Sequence, residues 1–247
     1  MKATRGATRV IYDWDELRTS AVAWHVNPNE LSNSALYDRC FGWLSAEERT
    51  HYMNRRTDET RHEYLTTRAL CRATLSRYTG VNPSDWVFAT TVTGKPRIAQ
   101  PAKFKSVRFN LTHTAGLVVF LLSRAGEVGV DAEETSRTVD VAQVARHFLS
   151  TRERARLGGL PDELRLKLFF EQWVLREAYF KGVGKGVASA PERFAIEIGK
   201  NGQPAQIRDW RLYLFRPNAK HVAGAAVRQP RGSPPVRVRW SKAKNLA

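Results

Sequence analysis

The chain reads as an α+β protein of two similar halves, each a small antiparallel sheet packed against a long helix. Two observations predict this. Helical stretches and clusters of short apolar strands alternate in the order helix, strands, helix, strands. The 247 residues, 42% of them hydrophobic and seven of them Trp, also give ample core for one large domain or two ordinary ones. The halves are expected to span 1–126 and 127–227, joined near Glu127, with 228–247 as a basic, Pro-containing flexible tail.

Ser45-Ala46-Glu47-Glu48 carries a capping-box pattern, so a long helix opens there and runs, with a break, to about Tyr78. Gly80 stops it, and Asn82-Pro83-Ser84 forms a loop. Val87 to Val92 alternates as a strand before a turn at Thr93-Gly94-Lys95-Pro96. Val107 to Leu111, Leu117 to Leu122 and Val128 to Ala132 read as three more strands, the last two joined by a hairpin turn at Ser123-Arg124-Ala125-Gly126. A helix from Val139 to Phe148 follows. Ser150-Thr151-Arg152-Glu153 offers a second capping box, and Pro161-Asp162 opens a helix ended by Gly182, Gly184 and Gly186. Strands are expected at Arg193 to Ile198, Trp210 to Arg216 and Val222 to Val227, with a turn at Asn201-Gly202. No repeat between the halves is read from the sequence. From Arg228 onward, six basic residues, three Pro and no acid predict the tail.

Cys40 and Cys71 are the only cysteines, which excludes a disulfide framework and suits a reducing compartment. The N-terminal stretch carries Asp13, Asp15 and Glu16 and no apolar core of a signal peptide. The longest purely apolar run, Leu117 to Leu122, is far too short for a membrane span. A cytoplasmic monomer is expected. The net charge of +16 favours acidic partners: nucleic acid, a phosphate-bearing cofactor or an acidic protein.

The chemistry concentrates in two segments. In Gly129-Val130-Asp131-Ala132-Glu133, a strand puts Asp131 and Glu133 on one face. In Trp173-Val174-Leu175-Arg176-Glu177-Ala178-Tyr179-Phe180-Lys181, a helix puts Trp173, Glu177 and Lys181 on one side. Carboxylates gathered on one surface repel unless a cation sits among them, and a hard divalent ion, most often Mg2+, shared with substrate phosphate fits that need. The glycines around Lys185 are expected to let backbone and cation approach a ligand. His113, just past an apolar strand in Asn110-Leu111-Thr112-His113, and Lys95, on its tight turn, are candidates for phosphate contact. The remaining histidines lack zinc-ligand spacing.

In order, Gly94-Lys95-Pro96, Asn110-Leu111-Thr112-His113, Gly129-Val130-Asp131-Ala132-Glu133 and Trp173 to Gly186 resemble the motif series of the 4′-phosphopantetheinyl transferase superfamily, in its pseudodimeric Sfp-like type. The resemblance covers roughly Leu44 to Val187. It implies transfer of the phosphopantetheine arm of coenzyme A to a serine of an apo acyl or peptidyl carrier protein, with Mg2+ and release of 3′,5′-ADP. Residue by residue it implies Asp131, Glu133 and Glu177 as metal ligands, with Asp131, Glu177 (general base) and Lys181 (transition-state cation) as the catalytic set. It further implies Arg56, Lys95, Pro96, Asn110, Thr112, His113, Lys181 and Lys185 as coenzyme A contacts. The chain departs from the pattern in three places: Thr112 for Ser, Arg176 for Lys, and Glu63 where many members carry Arg.

Two alternatives share the composition. A Mg2+-dependent nuclease also clusters acids with a Lys, but commonly sets Glu and Lys two apart on a strand, whereas Glu177 and Lys181 are at i and i+4. A nucleic-acid-binding module predicts aromatics interleaved with Lys and Arg on an exposed sheet. Here Phe109, Phe120 and Trp173 sit in apolar contexts, so nucleic acid is disfavoured.

Overall fold

A computed structural model describes residues 12–30, 34–137, 139–186, 195–196, 206–229, 232–234 and 236–243. The first half runs β1 (Ser20–Val26), α1 (Ser34–Gly42), α2 (Ala46–Met53), α3 (Asp58–Thr79), the hairpin β2 (Val87–Thr90) and β3 (Pro96–Gln100), then β4 (Arg108–Thr114) and β5 (Leu117–Ser123). The second runs β6 (Val128–Glu134), α4 (Val141–Phe148), α5 (Thr151–Gly158), α6 (Asp162–Val183), β7 (Trp210–Asn218) and β8 (His221–Arg228). A last strand, β9 (Arg237–Lys242), follows.

The first sheet has the order β4-β5-β1-β9 and the second β6-β8-β7. The triplets β4-β5-β1 and β7-β8-β6 share one order, so the expected pairing of similar halves is present in the topology. Four layers result: α3, first sheet, second sheet, α6. Val118, Phe120 and Leu122 of β5 pack with Val22 and Trp24 of β1 against Leu65, Leu70 and Tyr78 of α3. Leu117, Val119 and Leu121 point the other way, against Val128, Val130, Ala223 and Ala225 of the second sheet. Being covered on both faces, β5 is buried throughout and reads as an unbroken apolar run.

The halves also repeat one helical device. Ser45 caps α2 and Ser150 caps α5, each in a reciprocal capping box closed by Glu48 or Glu153. Glu48 then binds Arg72 of α3 at 2.6 Å, and Glu153 binds Arg176 of α6 at 2.8 Å, with both arginine side chains 1% exposed. Arg49 and Arg154 each donate to the carbonyl of the leucine before the cap, Leu44 or Leu149. A repeat therefore does stand in the sequence, as Leu44-Ser45-Ala46-Glu47-Glu48-Arg49 and Leu149-Ser150-Thr151-Arg152-Glu153-Arg154.

The break expected in the first long helix is present, since Asn54 ends α2 and a Thr57 capping box starts α3. Other expectations are corrected. Ser123 to Gly126 makes no hairpin: β5 pairs with β1 and β4 while β6 pairs with β8, so this link carries the chain between sheets. β1 and α1 were not anticipated at all. The tail is in part a structured edge: β9 lies parallel to β1, and Trp240 stacks on His25 of β1 and Phe215 of β7. The strand expected at 193–198 and the turn at 201–202 lie outside the described residues, apart from 195–196. Among the described residues no helix is long and apolar enough to cross a membrane.

Candidate active site

Alternation along β6 sends Val128, Val130 and Ala132 into the intersheet core, which turns Gly129, Asp131 and Glu133 towards α6. The helix can come this close because Gly129 has no side chain. A Cβ there would lie 2.0 Å from the Ala178 carbonyl oxygen, and one on Gly224 of β8 would lie 2.6 Å from that of Val174. Both glycines thus set the distance across which Glu177 and Lys181 face Asp131.

On the other side, β4 of the first half meets β6. Buried Asn110 accepts the Val130 N–H at 2.9 Å, supplying the partner that an edge strand lacks. Two residues on, Thr112 donates to Asp131 Oδ1 at 3.1 Å. Lys181 Nζ donates to the same oxygen at 2.6 Å and to Thr112 Oγ1 at 3.1 Å. Asp131 Oδ2 is buried without a hydrogen-bond partner. Glu133 Oε1 accepts from Trp173 Nε1 at 3.1 Å and from Arg137 at 3.0 Å.

Burial pushes all three carboxyls above the ordinary range, and the charge of Asp131 adds to the rise in Glu133 and Glu177. Asp131 is raised by desolvation against the opposing pull of Lys181 and Thr112. Glu133 is raised by desolvation and then by Asp131. Glu177 is raised by desolvation, then Asp131, with Lys181 opposing. The three groups therefore share one field. As placed, they do not close on a single ion position: among the described residues no set of three His, Cys, Asp or Glu side chains forms a ready metal cluster. One oxygen of Asp131 is held by Lys181 and one of Glu133 by Arg137 instead. The donor set still suits a hard divalent ion, since it is all oxygen, charge-rich and contains an unpartnered buried carboxylate oxygen.

Next to β4 opens a cleft of about 1110 Å³, lined by α2, α3 and the β2–β3 hairpin. Its walls mix cations and rings: Arg55, Arg68 and His113 with Tyr64, Trp86 and Phe88. Pro96 and Asn110 line it too. His113 Nδ1 lies 3.0 Å from Glu63 Oε1, and that hydrogen bond holds the Glu63 carboxyl below the usual range. The chain's Glu63 departure therefore faces the very histidine expected to meet phosphate.

Other expected contacts fall elsewhere. Lys95 is buried, and its ammonium donates to Glu127 Oε2 at 2.9 Å, the Val128 carbonyl at 2.9 Å and the Gly182 carbonyl at 2.6 Å. All three N–H groups are engaged, so Lys95 clasps the halves and has none left for a ligand. Arg56 is exposed outside the cleft, whereas its neighbour Arg55 lines it. Lys185 is exposed beyond α6. The glycines near it have structural reasons: Gly184 takes φ 79° as the helix cap, and a Cβ on Gly182 would strike Trp210 at 2.5 Å. Arg176 is buried on Glu153 and turned away from the carboxylates. Sequence reasoning missed Arg137 and the Glu63–His113 pair. The only local cue for Arg137 was its i+4 spacing from Glu133, in a stretch with no helical pattern.

Known proteins resemble this chain in sequence. The family model described as the 4′-phosphopantetheinyl transferase superfamily matches residues 127–226, and one described as 4′-phosphopantetheinyl transferase, N-terminal, matches 30–125. The chain is 31% identical over 208 residues to the 4′-phosphopantetheinyl transferase HetI of Nostoc sp., covering 83% of this chain and 86% of that one. It is 25% identical over 166 residues to the 4′-phosphopantetheinyl transferase Sfp of Bacillus subtilis, covering 67% and 71%. The boundary between the two matched segments falls at Glu127, where the two sheets part. The chain is a transferase and belongs to the 4′-phosphopantetheinyl transferase superfamily.

Proposed function

We propose that the chain moves the phosphopantetheine arm of coenzyme A onto a serine of an apo acyl or peptidyl carrier protein, using Mg2+ and releasing 3′,5′-ADP. The observation that carries this reading is the set Asp131, Glu133, Glu177 and Lys181 in one electrostatic field beside a basic, ring-lined cleft. His113, Pro96 and Asn110 line that cleft, which is large enough for a nucleotide, and Arg55 and Arg68 add charge for its phosphates.

A serine hydroxyl is a poor nucleophile, so a carboxylate must take its proton as it attacks. Glu177 suits this because its raised basicity brings it closer to the working pH. The serine oxygen bonds to the phosphorus bearing pantetheine, the bond between the two phosphates breaks, and 3′,5′-ADP leaves with the electron pair. Lys181, already within reach of Asp131 and Thr112, offers a fixed positive charge to the oxygens that gain charge in this step. Mg2+ on Asp131, Glu133 and Glu177 would neutralise diphosphate charge. Thr112 keeps Asp131 and Lys181 in register. The net charge of +16 suits an acidic carrier.

Incubation of the protein with coenzyme A, Mg2+ and a panel of apo carrier domains, read by intact mass, tests this. A carrier gaining one phosphopantetheine supports the reading, and no gain on any carrier would refute it.

A further inference from the structure

Arg137 lies just beyond β6, with its guanidinium carbon 5.6 Å from the centroid of the Phe170 ring. Its Nη2 sits 3.0 Å from Glu133 Oε1, an oxygen that Trp173 also holds at 3.1 Å. The Arg137 side chain is 46% exposed while that of Glu133 is 14% exposed, so the arginine forms the solvent-side rim over a largely covered carboxylate. Lys181 occupies the matching place on Asp131. Three carboxylates are thus met by two fixed cations. The Phe170 face and the flat fork of the guanidinium restrict where Arg137 points, which a flexible ammonium would not achieve.

Such a residue acts with opposite sign on two ligands. A divalent cation that takes Glu133 must share the carboxylate with a positive neighbour and is repelled by it. A diphosphate that arrives afterwards is attracted by the same charge, which Glu133 then neutralises less fully. We propose that Arg137 offsets the charge of Glu133 and, once a divalent cation shares that carboxylate, serves as an extra anchor for the substrate's diphosphate. The inference rests on the function proposed above.

The test compares wild-type protein with Arg137→Ala and Arg137→Lys. Mn2+ binding without coenzyme A is followed by electron paramagnetic resonance of the free ion, and coenzyme A binding at saturating Mg2+ by calorimetry. In Arg137→Ala, Mn2+ should bind about two- to five-fold tighter, the scale of a half-exposed charge pair, while coenzyme A binds weaker by at least as much. Arg137→Lys should recover part of the coenzyme A affinity. Both affinities unchanged, or both weakened together, would overturn the inference, because a structural role moves them in the same direction. Wild-type protein that binds no Mn2+ would remove the cation reading itself, and this inference with it.

Discussion

Glu177 sits at less ease ionised in the folded chain than it would in an unfolded one, because burial and Asp131 both oppose its charge. A folded-state pKa above the unfolded one sets the sign. The stability this group allows is fully present below its unfolded value, and is lost as pH rises through the folded value. Glu177→Gln should therefore raise Tm at neutral pH, by about 2–4 °C for each kcal/mol of repulsion removed, with the difference fading in acid. Differential scanning fluorimetry across pH measures it, and a Tm lowered at neutral pH would contradict the placement. The same raised pKa means that in the metal-free chain Glu177 takes up its proton at a higher pH than an ordinary glutamate, which NMR titration of its carboxyl carbon measures. The acids and Lys181 were legible in the sequence because strand and helix periods put them on common faces. Glu63 against His113 was not, since that pair joins residues of different elements with no local spacing to announce it. Lys95 was misread for a related reason: a lysine on a tight turn looks free until the second half closes over it.

At the level of elements, α6 places Glu177 and Lys181, the side chains proposed to be catalytic, and owes its position to glycines on the facing strands. Gly129→Ala would drive a methyl group into the Ala178 carbonyl, so the helix must retreat. The expected cost is about 1–3 kcal/mol in urea unfolding, with turnover falling further than stability, because the distance between Glu177 and Asp131 opens. Near-wild-type turnover would argue against so close an approach. α6 is anchored by its own buried Arg176, held by both oxygens of Glu153 in α5. Arg176→Met leaves that carboxylate without its cation and should cost about 3–5 kcal/mol, measured by the same unfolding, while the carboxylate field around Asp131 stays intact. Elements of strong pattern, α6, β5 and β6 among them, could be read from the sequence nearly to their ends. β4 instead runs past Leu111 to Thr114 and so includes His113, expected just beyond it. β1 could not be read, although it is central. Covered on both faces, Ala21 to Trp24 show no alternation, and the stretch is too short to announce itself otherwise.

The molecule as a whole is a doubled design with one site. Both halves repeat the Ser-capped helix, the buried Glu–Arg pair and a 22-residue helix on a sheet, yet the residue after Arg72 is Ala73 in the core, while the one after Arg176 is Glu177. The site proposed for the chemistry lies at the seam, where Thr112 comes from one half and Asp131 and Lys181 from the other. The seam is also fastened away from the site. Glu127 receives Lys95, Arg97 and Arg108 at 2.7–2.9 Å, and Trp240 of β9 stacks on rings from both sheets. Trp240→Ala should lower the unfolding free energy by about 3 kcal/mol, as loss of a packed aromatic does. A silent substitution would return 228–247 to the status of a tail, which is how its proline and charge content made it look. The most direct measurement of the central claim is the intact mass of an apo carrier domain after incubation with coenzyme A, Mg2+ and either the wild-type chain or Glu177→Gln. The account predicts one added phosphopantetheine with the wild type and none with the variant over the same time. Equal modification by both proteins would contradict it.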